Sequence, residues 1–219
     1  MAMRTLLLVP TQLERQGVEP IVARALDRDD RMELCGFGPV AAAARTATLL
    51  ERHRPDRVVL VGIAGSLDAR LAIGRAYRFT QVACFGIGIG SRDDFVPAGV
   101  LGWPQWPGDV TDGSPAIGDL ITCADESAMA AEARLLLTAC AASAGADDVR
   151  ARTRLFPAAV AEDMEGFAVA FACRLRGVPC GIVRGISNAA GDRDHVRWQT
   201  AAALRAAAEL ALQVMAGAS

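Results

Sequence analysis

Between Phe156 and Trp198 the chain follows an order that few folds accommodate: a short apolar run, a helical stripe, a second apolar run and a polar loop. Pro157 punctuates the start, and Ala158 to Ala161 is an apolar segment too short for a helix. From Glu165 onward, Phe167, Ala168, Phe171, Ala172 and Leu175 recur at i, i+3 and i+4, a stripe that faces a core. Gly177 ends that helix. Cys180 to Ile186 reads as a buried strand, interrupted by Arg184 and closed by Ser187 and Asn188. The order predicts a βαβ unit with two parallel strands in one sheet and their carboxyl ends on one edge. Glu165 and Asn188 then lie side by side where open α/β sheets hold ligands. A carboxylate and a carboxamide there can grip hydroxyls and a heterocycle.

The upstream chain supplies further strands for the same sheet. Arg4 to Val9 reads as a first buried strand. Thr11 can cap the next helix with Glu14 completing a capping box, and Glu14 also stands where a strand end could mount a catalytic acid. Met32 to Cys35 is a second strand, followed by Gly36-Phe37-Gly38-Pro39 and an alanine-rich helix from Val40 to Arg52. The glycines fit either a tight turn or a close approach of backbone amides to a ligand. Val58 to Val61 is a third strand, and Gly62-Ile63-Ala64-Gly65-Ser66 after it leaves room for a flat ring or a sugar. Gly86-Ile87-Gly88-Ile89-Gly90 lacks the spacing of a dinucleotide fingerprint. Residues 91 to 118 predict a long irregular loop, in which Trp103 and Trp106 either cover a substrate or pack. Gly118 to Thr122 suggests a strand, Glu126 to Ala142 a helix, 145 to 154 a charged surface turn, and Arg197 to Ala216 a terminal helix.

Composition narrows the chemistry. All 23 basic residues are Arg, so neither a Schiff-base lysine nor a phosphate-loop lysine exists. Two histidines are too few for a His-rich metal site. A net charge of −2 gives no reason to expect nucleic acid. The six cysteines are scattered without a CxxC pair, as in a reduced protein, and Leu6 to Val9 is of strand length, too short for a membrane span or signal peptide. With 219 residues, 52% of them hydrophobic, and no linker or repeat, a single domain over 1–219 is expected, in the cytoplasm and away from membranes.

Gly36-Phe37-Gly38-Pro39 with its alanine helix and Thr46, Gly62-Ile63-Ala64-Gly65, Phe156-Pro157, Asp163-Met164-Glu165-Gly166 and Ile186-Ser187-Asn188 together resemble the nucleoside phosphorylase and nucleosidase superfamily. Within it, three features look most like the futalosine hydrolase family: Val9-Pro10-Thr11 with Glu14, Leu101-Gly102-Trp103, and the run from Arg184 to Asn188 followed by Gly191-Asp192-Arg193-Asp194 and Trp198. The related methylthioadenosine/S-adenosylhomocysteine nucleosidases are similar in the Met-Glu segment but carry Ser-Asp where this chain has Ser187-Asn188.

The resemblance implies a single-domain, three-layer αβα fold around a mixed, mostly parallel twisted sheet. It implies hydrolysis of a purine N-ribosidic bond without a metal or organic cofactor, a small nucleoside substrate and a homo-oligomer. By resemblance, Glu165 holds the ribose hydroxyls, Glu14 positions the attacking water and Asn188 faces the purine. Phe156 packs on the base by the same resemblance, though its residue type reads equally as a core aromatic, and Gly65, Asp163 and Met164 stand at the substrate. A phosphorylase remains a rival, with Arg45 and Arg184 available in principle to hold phosphate. An adenine-releasing nucleosidase and a non-catalytic nucleoside-binding protein are the others.

Overall fold

The computed structural model describes residues 3–91, 94–111, 113–123 and 133–217. In chain order these form β1 (Thr5–Val9), α1 (Gln12–Val22), β2 (Arg31–Leu34), α2 (Pro39–His53), β3 (Arg57–Ser66), β4 (Ala76–Phe79), β5 (Gln81–Phe85), β6 (Gly88–Ile89), β7 (Val96–Pro97), β8 (Leu120–Thr122), β9 (Leu135–Ala139), α3 (Ala146–Leu155), β10 (Ala159–Asp163), α4 (Gly166–Leu175), β11 (Cys180–Ala189) and α5 (Thr200–Met215). Among the described residues nine strands make one mixed, mostly parallel sheet, while β6 and β7 form a separate antiparallel pair.

The sheet is built on β3. Along one edge β11 runs parallel to it from Val58 to Ser66. The other edge is shared: β1 pairs parallel with Arg57 to Leu60, and β10 pairs antiparallel with Gly65 and Ser66. Side-chain alternation then distributes the core between two faces. Leu6, Leu8, Val58, Leu60, Ile182 and Ile186 point to the face covered by α2 and α4. Leu7, Val59, Val61 and Val183 point to the face covered by α1 and α5, where Val18, Leu204, Ala207 and Ala211 meet them. Burial on both faces explains why these strands read as unbroken apolar runs. The αβα layering is thus the expected one.

Four expectations need correction. The strands of the central unit share a sheet but not a direction, because β10 meets β3 antiparallel and β11 meets it parallel. Their carboxyl ends still converge, since Glu162 and Asn188 both pair with Gly65. Leu135 to Ala139 is not part of a helix: all five residues are buried in β9, between β5 and β10. The portion of that expected helix from 126 to 132 lies outside the described residues. Residues 146–155 form α3 rather than a turn, with Asp147 and Asp148 in its first turn and Arg152 and Arg154 in its last, matching the helix dipole. Strands β4 and β5 also lie where no strand was expected, and the long loop contains β7 and the bridge Trp106 to Ile117.

Packing of α5 against β11 depends on Gly185. A Cβ there would lie 2.0 Å from the Ala203 carbonyl oxygen, and a backbone atom cannot step aside as a side chain can. Gly185→Ala should therefore lower unfolding stability by about 3 kcal/mol, read as a shifted urea midpoint.

Candidate active site

One cavity of about 880 Å³ opens where the carboxyl ends of β10 and β11 meet the end of β3 and the start of α1. It is lined by Glu14, Gly65, Met164, Glu165 and Asn188, by the Cys140–Ala144 segment, and by Asp192, Arg193, His195 and Trp198 after β11.

Glu14 occupies a break in the sheet. Between Leu60, the last partner of β1, and Gly65, the first partner of β10, that edge of β3 has no neighbouring strand among the described residues. The Ile63 amide donates to Glu14 Oε1 at 3.0 Å, so a side chain takes the place of a strand carbonyl. The Thr11 hydroxyl donates to Oε2 at 2.7 Å and accepts from the Glu14 amide at 3.2 Å. Glu14 thus takes part in the Thr11 cap of α1 and also lines the cavity.

Beneath the cavity lies Arg184, fully buried on β11. Its Nε donates to Asp163 Oδ2 at 3.0 Å, and its Nη2 donates to Asp163 Oδ2 and to Glu165 Oε2, the latter at 3.3 Å. Gly62 makes this possible, because a Cβ there would sit 2.2 Å from Arg184 Nη1 and 2.5 Å from Glu14 Oε1. The space expected at Gly62 for a ligand is thus occupied by the protein's own charged groups, while Gly65 does line the cavity. Arg184 Nη1 is buried without a hydrogen-bond partner among the described residues.

Asp163 lines the cavity and has protein partners on both oxygens. The Thr138 hydroxyl donates to Oδ1 at 2.6 Å, the Gly166 amide to Oδ2 at 2.8 Å, and its side chain is only 1% exposed. Asp163 therefore anchors Arg184 and the start of α4 while lining the cavity floor. Glu165 accepts from the Gly38 amide at 3.0 Å. Gly38 has φ of 79°, a conformation that glycine tolerates, so the glycine turn before α2 serves the glutamate rather than a ligand. Burial pushes the Glu165 carboxyl up to about 7, with Asp163 and Glu14 adding to the rise and Arg184 and the Gly38 amide opposing it. Burial would lower the Arg184 pKa, but Asp163, Glu165 and Glu14 outweigh it and raise it.

Asn188 has a fixed orientation. Its Nδ2 donates to the Ala189 carbonyl at 2.8 Å, and its Oδ1 accepts from the Ser187 hydroxyl at 2.7 Å. A carbonyl can only accept, so the amino group must face Ala189 and its second hydrogen is left for a ligand. Met164 lines the same wall.

Phe156 is not among the lining residues. It ends α3 and turns into a small apolar cluster, 6.4 Å edge-on from Phe85 and against Ala83, Leu135, Leu137 and Ala159. The wall is instead Cys140–Ala144, which sequence reasoning missed. Glu162 holds it, accepting from the Ser143 amide at 2.8 Å and the Ser143 hydroxyl at 2.7 Å, and pairing with Arg152 Nη1. Arg152 Nη2 also donates to the Ala141 carbonyl at 2.7 Å. Trp106 packs, its Nε1 donating to Ser114, and neither it nor Trp103 lines the cavity. Among the described residues no group of three or more His, Cys, Asp or Glu side chains is placed to hold a metal, and no helix is long and apolar enough to cross a membrane.

Buried Glu165 beside Arg184 makes this floor sensitive to pH. Glu165 contributes stability that is fully present below its unfolded value of 4.5 and lost as pH rises through about 7, because the folded state holds the proton more tightly. Arg184→Met should cost about 3–5 kcal/mol in unfolding free energy. Denaturant titrations should show a larger loss at about pH 8, where Glu165 is ionised, than at about pH 5.

A family model for the phosphorylase superfamily matches residues 19–216. A futalosine hydrolase from Streptomyces coelicolor is 34% identical over 201 residues, spanning 90% of this chain and 81% of that protein. A 5'-methylthioadenosine/S-adenosylhomocysteine nucleosidase from Colwellia psychrerythraea is 32% identical over 173 residues, 71% of this chain and 65% of that protein. The fold is similar to that of Helicobacter pylori futalosine hydrolase, with a TM-score of 0.75 at 16% identity and 98% of both chains covered. The Neisseria meningitidis methylthioadenosine/S-adenosylhomocysteine nucleosidase gives 0.75 at 18% identity, with 99% of this chain and 100% of that chain covered. The chain belongs to the phosphorylase superfamily, alongside nucleosidases that hydrolyse N-glycosidic bonds.

Proposed function

We propose that this enzyme hydrolyses the N-ribosidic bond of futalosine, giving hypoxanthine and dehypoxanthine futalosine in the alternative route to menaquinone. The observation that carries the reading is the convergence of Glu14, Glu165 and Asn188 on one cavity over the Arg184 cluster.

Breaking the bond moves its electron pair onto the purine and leaves a cation-like sugar, as in glycoside hydrolysis. Water supplies the new bond to the anomeric carbon and gives its proton to Glu14, whose two oxygens each accept one hydrogen bond from the protein and retain a lone pair. Ionised Glu165 holds the ribose hydroxyls, and its interaction strengthens as positive charge develops. The spare hydrogen of Asn188 Nδ2 faces O6 or N7 of the leaving base. A neutral amide is a poor acid for N7, so a 6-oxopurine suits it better than adenine.

The basic groups considered for phosphate are committed. Arg45 pairs with Glu33 at 3.7 Å and does not line the cavity. Arg184 is buried among three carboxylates. Both facts favour water over phosphate as the nucleophile. Exposed Leu13 and Phe37 beside the cavity and exposed Val40 after it give an apolar surface suited to self-association, and a cytoplasmic homo-oligomer is part of the same reading.

Purified enzyme should release hypoxanthine from futalosine in phosphate-free buffer, faster than it releases base from inosine or methylthioadenosine. Strict dependence on phosphate, or preference for methylthioadenosine, would overturn the assignment. The kcat/KM should climb with pH through about 7 as Glu165 ionises. Glu165→Gln should lower it by ~10²–10³. Asn188→Asp should move the preference towards adenine as leaving group by about tenfold or more, measured as a ratio of kcat/KM values.

A further inference from the structure

Arg152 is the one fully buried residue of α3. A surface helix ordinarily turns an apolar stripe to the core, whereas this one turns a guanidinium. Three groups receive the charge. Nη1 donates to Glu162 Oε2, Nη2 donates to the Ala141 carbonyl at 2.7 Å, and the guanidinium carbon stands 5.3 Å from the centre of the Phe85 ring. Phe85 is itself braced edge-on by Phe156 at 6.4 Å. Glu162, buried at the end of β10, accepts from the Ser143 amide and hydroxyl as well.

These bonds fix a wall that cannot fix itself. Ala141, Ala142 and Ala144 have no side chain long enough to reach a partner, yet all three line the cavity. Arg152 holds Ala141, Glu162 holds Ser143, and the Ala144 amide donates to Asp148 Oδ2 at 2.8 Å in the first turn of α3. Ala142, between the two held residues, takes no hydrogen bond among the described residues, so its amide and carbonyl are left for a ligand. The wall stands on the Asn188 side of the cavity. Gly191, just after Asn188, packs where a Cβ would lie 3.0 Å from the Gly145 backbone, and Glu162 and Asn188 meet Gly65 from opposite edges of β3.

A buried ion pair is commonly no more stabilising than apolar side chains of the same volume, so docking α3 does not by itself call for one. What the pair adds is direction, because a planar guanidinium reaches a carboxylate and a carbonyl at once in a fixed geometry. We propose that Arg152 and Glu162 are positioning residues for the leaving base: their ion pair sets the depth of the small-residue wall against which the base lies as it meets Asn188. This rests on the nucleosidase reading and deepens it. The sugar, held over Glu14 and Glu165, does not depend on the pair.

The test reads the two products separately, as inhibitors of futalosine hydrolysis by one protein. In Arg152→Met the inhibition constant of hypoxanthine should rise about tenfold, the worth of one well-placed hydrogen bond, while that of dehypoxanthine futalosine stays level. Arg152→Lys keeps the charge but loses the fork, and should show a smaller rise. In the double variant Arg152→Met/Glu162→Gln no carboxylate is stranded, so the urea midpoint should recover relative to Arg152→Met while the weakened hypoxanthine binding persists. Should Arg152→Met fail to fold, the double variant carries the comparison. Both constants rising together, neither rising, or hypoxanthine binding recovering along with stability would overturn the proposal and leave hydrolysis standing. A wild type that prefers methylthioadenosine would overturn the futalosine assignment alone, and the comparison then runs with adenine and methylthioribose. No release of base from either nucleoside would remove the nucleosidase reading and this one with it.

Discussion

Three carboxylates drawn around one fully buried guanidinium are what the rest of this molecule is arranged to permit. Arg184 needs a residue without a side chain opposite it on β3, and Gly62 supplies it. It needs partners at the right depth, and the end of β10 delivers Asp163 and Glu165. A buried charge without partners is among the most expensive groups a fold can carry. Here the expense is divided: Asp163 is bonded by Thr138, Gly166 and Arg184, while burial, with the Asp163 charge beside it, raises the Glu165 pKa. The same cluster that holds the strands together keeps one acid poised near neutrality.

Position in the sheet and chemistry are linked through β3. Its outer edge is split between β1 and β10, and the two strands leave a short stretch for Glu14 to enter from α1. The antiparallel arrival of β10 turns its carboxyl end towards that gap, beside the carboxyl end of β11. The wall opposite is held by a second buried ion pair, Arg152 with Glu162, which fixes Ser143 and Ala141. Neither pair contributes through surface exposure, so neither is much weakened by salt.

Much of this was legible in the chain. The i, i+3, i+4 stripe located α4, and apolar runs located β1, β3 and β11, because buried parallel strands leave few other patterns. Glu14, Glu165, Asn188, Gly65 and Met164 were brought to one cavity. Residues 135–139 were misread because an apolar run reads alike in a strand and in a buried helix. Phe156 takes the core reading of the two, which sequence left open because an aromatic next to Pro157 says nothing of which way its ring turns. Arg184 and Glu162 carried a signal that was passed over: a charge inside an apolar run must have a buried partner. The Cys140–Ala144 wall had no such signal, since small residues shape a surface only through what holds them.

The break in the ladder beside β3 has one more consequence. An interrupted strand edge is a weak seam, open to water or to a stray strand, unless something closes it. Glu14 is that closure, so the floor of the cavity cannot drift without unsettling the sheet. Asn188 lies near the end of the ladder in β11 and Arg193 on the loop beyond it, both at the cavity wall. Descendants of such a protein can therefore retune which nucleoside they accept at the mouth while the machinery below stays fixed.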